Sequence, residues 1–523
     1  MSNLKDFNTD GPRPVTVSET SITKDDTDNR IVDSDGHVFL VPTPSADPAD
    51  PLNWSPTRKW TIVVLLIIWS ATALSVQSFL TNFLPSLESR FPDASASQIN
   101  LLITIVTPLI VPGELFFAPL AIGYGRRPSL LLSIVLLFAS SIWGAQSKTY
   151  SALLGARVIE GFAGGPTDAI GFTIIQDFTF VHERGKMLGV MMMGQQALTL
   201  VLAIATNYMA VDSGFSAPFY LFFGLSIAVF VALFFAMPET KYDRQARDIP
   251  EERMTTKEYP EWRKSLGRDP QYPPFTWKRQ LRVWGPAGRA QKEEALGFLK
   301  GLMVMLTSPV IWWASLLNAV STGALIAFST CFATMLVSPP WSWPSANVGL
   351  INIAGTVSSL INVPLLGIGS DKLSLRLAAR NGGVARLEHR LAGLVIPVAI
   401  GVAANIGFGA LAQKLLVTGG AHQPHWFSLV FIFALQYMYF GGILEVTYTY
   451  VASTVSPARS LEAMTAISVI RDMVSFGMSY GVVGFADNCG YLASFGTYSG
   501  IVGFFGCLGL LVYRYGGMGR LKI

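Results

Sequence analysis

Trp60 to Ser86 reads WTIVVLLIIWSATALSVQSFLTNFLPS, twenty-seven residues without one charged side chain. A helix crosses the roughly 30 Å apolar core of a bilayer with about 20 predominantly apolar residues, so this stretch is long enough to span. Backbone N–H and C=O groups find no water inside a membrane, and a helix satisfies them within the segment. The rest of the chain repeats the pattern. Of its 523 residues, 51% are apolar and only 14% charged, where soluble domains carry roughly 25% charged residues. With 60–86 as span 1, eleven further segments pass the same test: 97–122, 129–147, 150–178, 186–210, 217–237, 309–337, 346–369, 392–413, 426–455, 462–485 and 491–515. The expected fold is an all-α membrane protein of twelve transmembrane helices.

The polar stretches divide it. Residues 1–56 are rich in Asp, Thr, Ser and Pro, the composition of a disordered tail. They hold no apolar run that would serve as a secretory signal, so span 1 is expected to direct insertion. Residues 238–308 form the longest interior loop and separate a six-helix bundle at 57–237 from a second at 309–515, with a short tail at 516–523. A six-plus-six division implies two homologous halves. Within the loop, EEALGFLKGLMVM at 293–305 reads as an amphipathic helix along the membrane surface, or as an early start of span 7.

Lys and Arg set the orientation. With the N-terminus in the cytosol, 33 of the 38 cations fall in cytosolic segments. Only Arg90, Lys148 and Lys414 lie on the opposite side, and Arg157 and Arg471 lie inside spans. Short loops count most for topology, and there Arg126, Arg127, Arg184, Lys186 and the 370–391 group all share one side. Both termini are therefore expected in the cytosol.

A charge at the bilayer centre costs about 2.5–3.5 kcal/mol even on a lenient scale, so charged residues within spans should face the bundle interior. They are Glu114 in span 2, Arg157, Glu160 and Asp168 in span 4, Glu445 in span 10, and Arg471 and Asp472 in span 11. Asp177 and Glu462 lie at helix ends. At 100° per residue, Arg157 and Asp168 share a face, and Glu160 sits at the i, i+3 spacing that allows an ion pair with Arg157. One cation and two acids along one helix would suit a proton relay; the alternative is that Arg157 and Glu160 pin helix 4 to its neighbours. Glu114 and Glu445 have no cation at helical spacing, so each is either protonated or paired with another helix. Arg471 and Asp472 point about 100° apart on a helix and are not expected to pair.

Several motifs carry a resemblance. The loop from Pro119 to Pro128, PLAIGYGRRP, resembles the signature loop of the major facilitator superfamily, roughly PLSDRxGRRP. RVIEGFAGG, from Arg157 to Gly165, resembles that superfamily's RxxxG motif, and HERGK at His182 to Lys186 sits where many members carry HERGx. PLNWSPTRKW from Pro51, PETKYDR from Pro238 and RNGGVARLEHR from Arg380 look specifically fungal and resemble the drug:proton antiporter-like branch. The resemblance implies two six-helix bundles that rock around a central cavity open alternately to each side. It also assigns a cytosolic gate to Gly125, Arg126 and Arg127, with Asp371 and Lys372 of the GSDK loop in the second half. Two departures stand out. Ile122 and Gly123 replace the usual Asp and Arg, which removes the gate's carboxylate and leaves Arg126 and Arg127 to cap helix C-termini. Span 5 reads GQQALTLVLAIATNYM from Gly194 to Met209, without the Gly-Pro antiporter motif.

Candidates for the cavity wall are Gln77 and Asn82 in span 1, Gln195 and Gln196 in span 5, Asn318 in span 7, and Gln436, Tyr437 and Tyr439 in span 10. Amides in lipid also tie helices together, so each has a structural reading beside the functional one. An apolar cavity with a few acids suits proton-driven efflux of a lipophilic secondary metabolite or drug. The alternative is proton-coupled import of an organic cation such as a polyamine. A membrane enzyme would need a His cluster, or a nucleophile with its base. The five histidines (His37, His182, His389, His422, His425) all fall in expected tails or loops, and no GxxxxGK(S/T) loop occurs. Three cysteines are too few for a scaffold or metal cluster. No cofactor or metal is expected, and a net charge of +4 gives no sign of nucleic acid. The expected partners are a small-molecule substrate, protons and the lipid bilayer, with the chain acting as a monomer in the cell membrane.

Overall fold

The computed structural model describes residues 16–17, 40, 42–83, 87, 89–242, 256–265, 290–362, 364–365, 369–380, 384–385, 387–418, 424–455 and 459–515. Nine helices among them are long and apolar enough to cross a membrane: Pro56–Thr81, Ser97–Gly123, Arg126–Gln146, Lys186–Ser213, Ala217–Ala236, Pro309–Val337, Leu387–Leu416, Phe427–Thr454 and Tyr491–Arg514. They occupy spans 1, 2, 3, 5, 6, 7, 9, 10 and 12. The ranges of spans 4, 8 and 11 are helical too, as Tyr150–Gly164 with Pro166–Phe178, Asn352–Asn362, and Ser460–Tyr480. Span 4 divides because Pro166 has no N–H to continue the helical ladder. Strand pairing among the described residues amounts to Thr16–Val17 beside Val384–Ala385. The fold is that of an all-α membrane protein.

The chain marks its own helix starts. Ser55 accepts from the Arg58 N–H and Pro56 occupies the first turn of span 1, the pairing that favours an N-terminus. Ser95 and Gln98 form a reciprocal capping box at the head of span 2. Residues 42–55, at the end of the stretch expected to be disordered, are packed. Asp50 accepts from Ser45 and Leu52. The Asn53 amide donates to the carbonyls of Ser45 and Asp47, so its Asn-Trp-Ser sequon is already occupied by protein contacts. Leu40 and Leu52 close over Phe180 with Tyr259 and Trp262.

The halves meet where span 2 packs on span 11 and span 5 on span 8. At the end where span 1 begins, one apolar core runs through both halves, from Trp69, Phe117 and Met191 to Tyr448, Met464 and Ile467. At the opposite end the core separates. Phe79, Phe83 and Phe219 belong to a cluster of the first half, and Phe328, Phe408 and Phe495 to a cluster of the second. Among the described residues, two hydrogen bonds cross that divide, from Asn100 to the Tyr480 carbonyl at 3.3 Å and from Tyr208 to Asn347 at 3.1 Å.

Candidate functional site

Arg157 is fully buried. Its Nε donates to the Leu102 carbonyl at 3.0 Å, Nη1 to the Val76 carbonyl at 2.7 Å and to Glu160 at 2.6 Å, and Nη2 to the Gln77 carbonyl. Val76 and Gln77 lie in the last turn of the span 1 helix and Leu102 near the end of Ala96–Thr104, where carbonyls lack helical partners. The guanidinium therefore caps two helix ends and ties spans 1 and 2 to span 4. The i, i+3 pair with Glu160 forms as spacing predicts, while Glu160 Oε1 has no hydrogen-bond partner. Close approach is built in here as well: a Cβ on Gly161 would lie 2.6 Å from the Val106 carbonyl, and one on Gly165 2.4 Å from the Glu114 nitrogen.

Asp168 does not continue that arrangement. It leaves its own half and meets Arg471 of span 11 at 2.6 Å, so the expected column along span 4 is two separate sites. The expectation that Arg471 and Asp472 stay apart is corrected too. Arg471 Nε and Nη2 donate to the two Asp472 oxygens at 2.7 and 3.1 Å. A helical wheel gives the direction of Cβ, and a long Arg side chain folds back along the helix to a neighbour's carboxylate. Arg471 Nη1 donates to the Tyr448 hydroxyl at 3.2 Å, and the Tyr448 ring lies 5.8 Å from that of Phe172. Glu114 faces this group from span 2. It is buried at 1% exposure, within the electrostatic reach of Asp472, Arg471 and Asp168 and beside the Ser468 hydroxyl. Three carboxyl groups thus surround one guanidinium. Glu445 stands apart, on the side of span 10 facing Gly189 of span 5.

The loop between spans 2 and 3 is charged in a way its sequence only half reveals. Gly125 has φ +120°, and a Cβ there would lie 2.3 Å from the Glu239 carboxylate. Glu239 accepts from the backbone N–H groups of Arg126 and Arg127 at 2.9 and 3.1 Å, capping span 3 with a negative charge where the helix dipole favours one. The Arg126 guanidinium pairs with Asp177 at 3.0 Å and donates to the Ala121 carbonyl at 3.1 Å. Arg127 donates to the Phe234 carbonyl. Both arginines therefore cap helix C-termini, as expected once Ile122 had replaced the loop's acid. Lys241 donates to the Ile122 carbonyl and pairs with Glu294 at 2.7 Å. Nearby, burial lowers Arg184 below its ordinary value, against the opposing pull of Asp177. Sequence reasoning missed Glu239 and Lys241 as parts of this loop; the signal was the PETK run just beyond span 6. The side chains of Asp371 and Lys372 lie outside the described ones.

The cavity candidates separate into two groups. Asn318 donates to the Ala314 carbonyl at 2.8 Å and to Thr447 at 2.7 Å. Gln436 donates to Asn405 at 3.2 Å and Tyr439 to the Ser321 carbonyl at 3.3 Å. Tyr437 stacks on Phe433 with centroids 4.9 Å apart. These four are ties within the second half. In the first half, Gln77 Nε2, Gln195 Oε1 and Gln196 Nε2 are buried without hydrogen-bond partners. Gln196 approaches the opposite half, its Oε1 3.3 Å from where a Cβ on Gly441 would lie. The Asn82 side chain lies outside the described ones.

This chain belongs to the Major Facilitator Superfamily, whose family model matches residues 60–468. It is therefore a multi-pass membrane protein of a transporter family, not of an enzyme family. It is 24% identical over 514 residues to an uncharacterized MFS-type transporter of Schizosaccharomyces pombe, covering 88% of this chain and 84% of that protein. It is 24% identical over 391 residues to the efflux pump radE of Floropilus chiversii, covering 72% of this chain and 66% of that one. Among solved structures, the proton:xylose symporter XylE superposes with a TM-score of 0.58 at 15% identity, over 89% of this chain and 96% of that one. That likeness establishes the fold alone.

Proposed function

We propose that the protein is a proton-coupled efflux transporter of the cell membrane, working as a monomer by alternating access on a lipophilic secondary metabolite or drug. In this reading twelve spans form two six-helix bundles, with both termini and the 238–308 loop in the cytosol. The observation that carries it is the Asp168–Arg471 contact at 2.6 Å, an ion pair between halves that must part. A proton added to Asp168 removes one of the charges holding Arg471. The guanidinium stays with Asp472 on its own helix, and spans 4 and 11 can separate. Glu114, buried and facing the same guanidinium, is the group to receive or pass that proton, because burying a carboxylate is costly unless it is paired. The name of the radE relative supports efflux, and that of XylE a proton as the coupled ion.

Import of an organic cation is the second reading. Three acids around one Arg leave negative charge that a protonated amine would balance, and span 5 lacks the antiporter motif. Counterflow in vesicles, with the proton gradient imposed in each direction and a panel of lipophilic and amine compounds, separates the two. Accumulation only when the gradient drives entry would sink the efflux reading. Gradient-driven uptake that survives Asp168→Asn would sink the coupling role of the ion pair.

A further inference from the structure

Span 5 carries Met193, Gln196 and Leu200 at the i, i+3, i+7 spacing of one helix face, and that face looks into the seam with the second half. Leu200 lies 3.0 Å from where a Cβ on Gly355 of span 8 would be, beside Phe433 and Tyr437 of span 10. A Cβ on Gly441 of span 10 would lie 3.9 Å from Met193 Cε, 3.3 Å from Gln196 Oε1 and 2.8 Å from Asn362 Nδ2 of span 8. The glycine at 441 therefore lets one amide from each half border the same point. On either side the seam is apolar, with Met193 buried one turn away and Tyr437 stacked on Phe433 at the next.

Among the described residues, neither amide is spent on its neighbours. Asn362 is fully buried and its Nδ2 donates to the Met438 carbonyl at 3.2 Å, but its Oδ1 has no hydrogen-bond partner. Gln196 Nε2 is buried and likewise has none. An amide that only ties helices together is bonded across them, as Asn318 is to Thr447. Leaving a buried donor and a buried acceptor unbonded is costly, and these two come from opposite halves.

The pair sets the class of group that complements it. Gln196 offers an N–H and Asn362 a carbonyl oxygen, so the match is a carbonyl joined to an N–H. An anion is disfavoured, because Glu445 follows Gly441 by one turn of span 10. A cation is disfavoured beside the Gln196 N–H. We propose that Gln196 and Asn362 hold a neutral secondary amide or lactam of the transported compound, whose apolar body lies against Met193, Phe433 and Tyr437. This rests on the transporter reading above and uses nothing said there of protons or direction.

The full chain in nanodiscs, with no gradient, is titrated with a tritiated phenyl-substituted caprolactam, its N-methyl derivative and the matching caprolactone. The lactam should bind about tenfold tighter than either analogue, because both leave the Asn362 oxygen unbonded. Asn362→Leu should erase that preference. Gln196→Met should weaken all three alike, since each keeps the carbonyl that Gln196 serves. If those variants fail to assemble, the chain carrying Cys489→Ser and Cys507→Ser is labelled with maleimide at Met193→Cys. The lactam should slow that labelling at a concentration where the caprolactone does not. Equal affinity for the lactam and its N-methyl derivative, a preference that survives Asn362→Leu, or equal labelling with both probes overturns the assignment. A chain that drives other compounds along the gradient yet does not bind the lactam overturns it too, and leaves the transporter reading standing. Lactam binding by a chain that moves no compound of the counterflow panel would sink that reading instead.

Discussion

Asp168 on span 4 and Arg471 on span 11 meet at 2.6 Å, and through this contact the two halves of the chain hold each other by charge as well as by packing. Asp472 completes a forked grip on the same guanidinium. Such pairs are strong while both partners are ionised, and removing one partner of a buried pair costs about 3–5 kcal/mol.

Asp168→Asn keeps the size of the side chain and removes its charge. The expected outcome is loss of gradient-driven transport with counterflow at equal pH retained, since the cavity remains. Arg471→Met should be worse, because it leaves Asp168, Asp472 and Glu114 without a cation. A lower melting temperature and poor assembly in vesicles should accompany it. Transport that responds normally to the gradient in Asp168→Asn would remove the pair from the coupling step.

Much of the fold was legible because a bilayer imposes one-dimensional rules of length and apolarity. The Arg157–Glu160 pair was legible for a similar reason, as both residues ride on one helix at a fixed spacing. The Asp168–Arg471 contact was not, since no local period links residues on spans 4 and 11. Arg471 and Asp472 were misread because a wheel assigns directions to Cβ atoms and not to the ends of long side chains. The loop of Gly125 lay between these cases. Its missing acid was visible at Ile122, but the carboxylate that caps span 3 comes from Glu239, beyond three further spans.

The Arg157 site should answer to mutation as a structural joint. Arg157→Lys supplies one point charge where a planar fork serves carbonyls on two helices and a carboxylate, so the change is not conservative. A loss of about 3 kcal/mol or more is expected, by the measure of breaking a buried pair. The check is a melting curve in nanodiscs. Glu160→Gln should be milder and should leave the pH dependence of transport unchanged. A shifted pH profile in Glu160→Gln would place Glu160 in the proton path instead.

Gly125 and Glu239 should prove interdependent. Gly125→Ala meets both a left-handed backbone and the Glu239 carboxylate 2.3 Å from the new methyl, so it should destabilise by more than the roughly 1 kcal/mol of an ordinary glycine exchange. Glu239→Gln should lose about 1 kcal/mol of charged capping at the head of span 3. With Glu239→Ala in the background, part of the Gly125→Ala cost should disappear, because the clash is gone and only the backbone strain remains. Purely additive melting shifts would mean that the two residues do not constrain each other.

The collar at residues 42–55 should loosen in alkali. The Tyr242 hydroxyl donates to Asp47 at 3.1 Å. Burial, with Asp47 adding to it against the hydrogen bond from Ser45, pushes that hydroxyl up to about 12. An unfolded tyrosine titrates near about 10. A folded value above the unfolded one means the contribution is complete below the unfolded value and is lost as pH rises through the folded one. Protease cleavage within residues 42–55 should therefore rise as pH climbs from about 10 to about 12. In Tyr242→Phe this rise should flatten, leaving faster cleavage at neutral pH. An unchanged profile would mean the collar does not depend on that hydroxyl.

In the proposed orientation, the outer end should open more easily than the inner one, where span 1 begins. Across the inner divide the apolar core is continuous, from Trp69 and Met191 to Tyr448 and Ile467. At the outer end each half keeps its own cluster, and Asn100–Tyr480 and Tyr208–Asn347 bridge them by hydrogen bonds. A hydrogen bond contributes about 1 kcal/mol net, whereas apolar contact must be hydrated over its whole area before it parts. Tyr208→Phe removes one bridge and keeps the ring. It should shift the outer equilibrium toward the open form about fivefold, the ratio that 1 kcal/mol corresponds to. Spin labels at Asp212→Cys and Asn488→Cys, on the outer ends of opposite halves, would report it as a larger population at long distance. Labels on the inner ends should report the converse, because opening outward keeps the inner core closed. A longer inner distance in Tyr208→Phe would mean that the two ends are not coupled by a rigid rocking motion.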